Sequence, residues 1–127
     1  MAIARLLRIV QLTFRLTALL LLILGALIWG GRSNLAQPHA ALGMLFVLSL
    51  WCLAALGFRT RAGVPLAFRA VFWGFVVLIF GMVQVNMWPG PQHVYVRILH
   101  LVVGLAAIGL GEMLGARIKR AHHGTRG

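Results

Sequence analysis

The sequence predicts an all-α protein, a four-helix transmembrane bundle of up-down-up-down topology that forms one integral membrane domain over residues 1–127. Three observations predict it. The 127-residue chain is 61% hydrophobic and 10% charged, with a mean hydropathy of +0.96, and a soluble domain of this size needs far more polar surface. The apolar residues fall into four runs, each near the ~20 residues that a helix needs to cross a ~30 Å hydrocarbon core. The breaks between runs are short, which favours antiparallel neighbours.

The first helix is expected over about residues 8–30. Arg5, Arg8 and Arg15 precede or open it, and Trp29 marks its far end, where an indole sits well at the membrane interface. A basic start followed by an apolar run also suits a signal peptide. The apolar run is long, however, and no small-x-small motif precedes Arg32, so a retained helix is the expectation. Gln11 and Thr13 read as ordinary interfacial residues.

The second helix is expected over about residues 35–58. Pro38 suits its first turn, where a missing N–H costs little. Ser49 can bond to its own backbone, and Cys52, the chain's single cysteine, reads as a small packing residue. Arg59–Pro65 is a basic turn. The third helix, about 66–88, carries Gly74 and Gly81, which permit close helix approach. Gln84 and Asn86 lie near its end and suit helix–helix hydrogen bonds or the edge of a ligand. Pro89-Gly90-Pro91 is the sharpest break in the chain. The fourth helix is expected over about 92–116, with a short mobile tail after it. Glu112, the only acidic residue, is expected to pair with a nearby arginine such as Arg117.

The formal charge of +11 does not point to nucleic acid. The cations sit at helix ends, with no basic stretch interleaved with aromatics to read bases. Ten of the twelve Lys and Arg fall on one side of the four runs, and only Arg32 and Arg97 fall on the other. By the positive-inside rule both termini are cytoplasmic. The expected location is the inner, cytoplasmic membrane of a bacterium, with the lipid bilayer as the immediate partner.

Ionisable residues within an apolar run are costly and by default mark function. His100 lies well inside the fourth run and His39 inside the second. Each is followed four residues later by glycine, Gly43 and Gly104. Helices two and four run parallel and face each other diagonally in such a bundle, and bundles build cofactor sites from facing helices. The expectation is one b-type haem held by His39 and His100 as axial ligands, a set that suits electron transfer. Gly43 and Gly104 would clear room for the macrocycle, with Gly111 and Gly115 continuing a small-residue stripe on that side. Arg97, one turn outward of His100, would meet a propionate or snorkel to head groups. His93 is a spare ligand at the head-group level. Counted from the helix starts, the two histidines differ in depth by about four residues, which tilt can absorb.

The two hairpins also read as a weak repeat. Gly25, Trp29, Pro38, His39 and Gly43 in the first match Gly81, Trp88, Pro91, His100 and Gly104 in the second. Such halves would be related by a pseudo-twofold along the membrane normal. The stretch Phe80–Leu110, FGMVQVNMWPGPQHVYVRILHLVVGLAAIGL, resembles the closing hairpin of one half of a heme A synthase. That family consists of two four-helix halves with axial histidines on the second and fourth helix of each. His39 and His100, 61 residues apart, match that placement. The resemblance implies haem binding. It does not imply heme A synthesis, because the chain is one half, with neither an outer cysteine pair nor an outer carboxylate.

The sequence therefore points to a membrane b-type cytochrome, transferring electrons or serving as a haem-bearing subunit. A larger membrane redox complex, a quinone or a soluble electron carrier would be its partner. The rival reading is a cofactor-free accessory subunit that packs a larger membrane complex.

Overall fold

A computed structural model describes residues 2–124. Four helices carry the chain: α1 (Ala2–Trp29), α2 (Ala36–Gly57), α3 (Val64–Val83) and α4 (His93–Gly124). Short 3₁₀ turns at Ser33–Leu35, Arg61–Gly63 and Gln84–Asn86 join them. With these turns included, all four segments are long and apolar enough to cross a membrane. The expected all-α, up-down-up-down bundle is the observed architecture.

Local chemistry sets the boundaries. Pro38 and Pro65 fall in the first turns of α2 and α3, where no helical hydrogen bond needs their nitrogen. The Thr60 hydroxyl donates to the Gly57 carbonyl at 3.1 Å and accepts from the Gly63 amide at 3.0 Å, closing the α2–α3 turn. The α3–α4 break turns through Trp88 at φ 44° and Gly90 at φ 95°; a tryptophan with positive φ is uncommon. Helix α4 departs from expectation at its far end. It continues to Gly124, and Ile118, only 2% exposed, shows that this stretch is packed rather than a loose tail.

Each helix touches its sequence neighbours, α1 touches α4, and α2 touches α4 across the diagonal, whereas α1 and α3 do not meet. The buried core lies toward the end that carries both termini. Phe14 of α1 is fully buried and stacks on Phe46 of α2 with ring centroids 4.8 Å apart. Around this pair lie Leu50, Leu53, Ala67, Ala70, Ala107 and Leu114, all at least 99% buried.

Glycines let the helices close there. Phe14 fills the space that a side chain at Gly111 would need, Gln11 does the same at Gly115, and Trp51 at Gly74. Gln11 is therefore a packing residue rather than an interfacial one. Two indoles tie helices together through backbone carbonyls: Trp51 Nε1 donates to Val71 at 3.2 Å, and Trp73 Nε1 to Val103 at 3.0 Å. Ser49 donates to its own helix, at Phe46, over 2.7 Å. Cys52 is exposed on the bundle's flank, not packed in the core.

Glu112 pairs with Arg15, not with Arg117. Arg15 Nε and Nη2 donate to Glu112 Oε1 and Oε2, each at 2.8 Å. The reason is angular. Arg117 lies five residues after Glu112, off the i+3/i+4 positions that share a helix face, whereas α1 packs beside α4 and brings Arg15 level with the carboxylate. Arg117 instead donates to the Ala62 carbonyl at 3.3 Å.

Candidate functional site

The other end of the bundle holds the two histidines. His39 lies in the first turn of α2 and His100 in the third turn of α4. Their rings nevertheless meet, with centroids 6.2 Å apart and planes inclined at 51°. The four-residue offset counted from sequence is thus a difference in where the helices begin, not in the depth of the imidazoles. Both side chains are half-buried.

Each imidazole rests on a glycine of the preceding helix. A Cβ at Gly25 of α1 would stand 3.4 Å from His39 Cε1, and one at Gly81 of α3 would stand 3.9 Å from His100 Cε1. These are the glycines at corresponding places in the two hairpins, so the sequence repeat has a counterpart in space. Phe80 adds a wall on one side only, stacking near His100 with centroids 5.9 Å apart at 30°.

The site carries two polar atoms that the protein does not satisfy. Nδ1 of His39 and Nδ1 of His100 are both buried without a hydrogen-bond partner. Buried polar groups are normally paired, and leaving one unpaired costs stability. Two such atoms on facing rings are a feature that packing alone does not reward. One turn along each helix, a Cβ at Gly43 or at Gly104 would meet no atom within 4 Å. The stripe expected to continue through Gly111 and Gly115 therefore divides. Those two are filled from α1, and only Gly43 and Gly104 leave room beside the histidines.

His93 and Arg97 lie outward of the pair. His93 Nδ1 donates to the Met87 carbonyl at 2.9 Å, clasping the proline-rich break. Arg97 is exposed and lines a recess with Pro89, Gly90, Pro91 and His93. Among the described residues it has no carboxylate partner, because the only acidic side chain is held by Arg15. Gln84 and Asn86 belong to the 3₁₀ turn that ends α3.

Among the described residues, no group of three or more His, Cys, Asp or Glu side chains gathers to hold a metal ion. Two facing nitrogen ligands suit an iron whose other positions are filled by a porphyrin. The seating of the imidazoles on Gly25 and Gly81 and the wall at Phe80 were not assigned from sequence, where Gly81 was expected only to permit close helix approach. The matching order of the two glycines in the repeat was the available signal. Compared with models of known families, with curated proteins and with solved structures, the chain matches none.

Proposed function

We propose that this protein is a membrane cytochrome b that holds one b-type haem between α2 and α4, with His39 and His100 as its axial ligands. The observation that carries the reading is the separation of the two rings. Two imidazoles bound on opposite sides of one iron, each through a metal–nitrogen bond of about 2 Å, hold their ring centres roughly 6.3 Å apart. The rings here stand 6.2 Å apart, although 61 residues separate them in sequence. The unpaired Nδ1 atoms and the room at Gly43 and Gly104 support the same reading.

A haem with both axial positions taken supplies one-electron transfer. The chain's part is to fix the two imidazoles, exclude water with apolar helices and neutralise the acidic edge of the group. Arg97 fits that last task, as an exposed guanidinium without a carboxylate of its own. A single haem held by His39 and His100 would lie near one membrane face, and a larger membrane redox complex, a quinone or a soluble carrier on that side would be its electron partner.

The reading places both termini in the cytoplasm of a bacterial inner membrane, since the cations crowd the terminal end. Reporter fusions after Gly127 and within Arg32–Gln37 are expected to report opposite sides, the first cytoplasmic. The same side for both would break the topology.

The direct test is an absorption spectrum of the purified chain made with ample haem. A Soret band and a sharp reduced α-band, at close to one haem per chain, are expected. The absence of any Soret band overturns the reading and leaves a cofactor-free packing subunit. A narrower expectation concerns Arg97. Arg97→Leu is expected to shift the haem midpoint potential or to weaken haem retention, with protein yield near normal. An unchanged potential and haem content would leave Arg97 a head-group anchor only.

A further inference from the structure

The end of the bundle opposite the histidines has a second property. Gly57, the last residue of α2, lies directly against Leu114 of α4. Helix α4 continues to Gly124, so ten residues, about 15 Å of helix, project past the end of α2. The head-group layer on one side of a bilayer is roughly 5–7 Å deep, and the projection is long enough to cross it. It is held in place: Ile118 is 2% exposed, Leu7 of α1 is 5% exposed, and Arg117 bonds to the α2–α3 turn. The backbone that carries Arg117, Lys119 and Arg120 is therefore packed against the bundle.

Among the described residues no free acidic side chain is left to neutralise those cations. Arg117, Lys119 and Arg120 on α4, and Arg59 and Arg61 in the α2–α3 turn, are all exposed. The only acidic side chain is engaged by Arg15. Beside them the surface turns abruptly apolar. Phe58 and Phe68, 40% and 64% exposed, pack edge to face with centroids 4.9 Å apart, and Arg59 and Arg69 follow them directly in sequence. Exposed rings next to exposed guanidiniums suit the boundary between acyl chains and head groups.

We propose that this end is a binding surface for anionic phospholipids, which take their phosphodiester groups onto the Arg59, Arg61, Arg117, Lys119 and Arg120 cluster and their upper acyl chains against Phe58 and Phe68. An acidic protein would also match the charge. The lipid is favoured because the cations are spread over several elements beside an exposed aromatic pair, rather than gathered on one flat polar face. Cations held near a membrane surface attract anionic lipid. The surface does not depend on haem binding.

The test uses the purified full-length protein in neutral detergent, titrated with phosphatidylglycerol or phosphatidylcholine, with retained lipid counted by native mass spectrometry. Phosphatidylglycerol is expected to be retained on the order of tenfold more than phosphatidylcholine, and less so at high salt. The triple variant R117Q/K119Q/R120Q is expected to lose most of that preference, and R117K/R120K to keep it. Circular dichroism confirms that each variant is folded. Equal retention of the two lipids overturns the proposal, as does a preference that survives the glutamine variant. Tight binding of polyglutamate by a chain with no phosphatidylglycerol preference would assign the surface to an acidic protein instead.

Discussion

His39→Ala and His100→Ala are each expected to abolish the reduced α-band of a low-spin b haem, while His122→Ala and His123→Ala leave it unchanged. Each of the first two removes one of the two side chains whose rings face each other 6.2 Å apart; the others lie at the end of α4 that carries the terminus. The effect is expected to be all-or-none in the spectrum, since one remaining ligand cannot hold the iron in its low-spin state. His93→Ala is the control on geometry. It breaks the bond to Met87 and is expected to loosen the α3–α4 turn while most of the haem remains. If His93→Ala alone removed the haem and His100→Ala did not, α4 would bind through its outer turn, and the pairing of His39 with His100 would be wrong.

The second large effect separates room for a ligand from room for a helix. Gly104→Leu places a bulky side chain where a Cβ meets no atom within 4 Å. The bundle is expected to stay folded and to lose most of its haem. Gly111→Leu is expected to do the reverse. Phe14 already fills that space, and forcing a side chain against it costs about 1–3 kcal/mol or more and separates α1 from α4. Circular dichroism and size exclusion in detergent distinguish the two outcomes. A Gly104→Leu protein with full haem would show that the glycine serves only helix packing.

The fold was legible in the sequence because membrane helices are set by run length, and four runs separated by proline and glycine leave little choice. The histidines were legible for a related reason, since an ionisable group at that depth needs a purpose. The partner of Glu112 was not legible. It depends on which helix packs beside α4 and at what height, and a list of nearby arginines carries neither. The seats at Gly25 and Gly81 were half legible, as matched positions in a repeat whose meaning needed the third dimension. The fixed tail was missed because Arg117–Gly124 is polar, and polar helices read as loose ends unless one residue, here Ile118, is seen to be buried.

The uneven distribution of the core bears on how a rigid, flat group could be received. Nearly every fully buried side chain lies in the half that carries the termini; among the described residues of the histidine half, Val96 alone is as deeply buried. The helices thus take their register from one end, and at the other α2 and α4 can separate slightly without breaking interlocked apolar contacts. The bundle is clamped at its base and less tightly packed at the histidine end. On the proposed reading, folding in the membrane and loading of a haem are successive steps, with the first complete before the second begins.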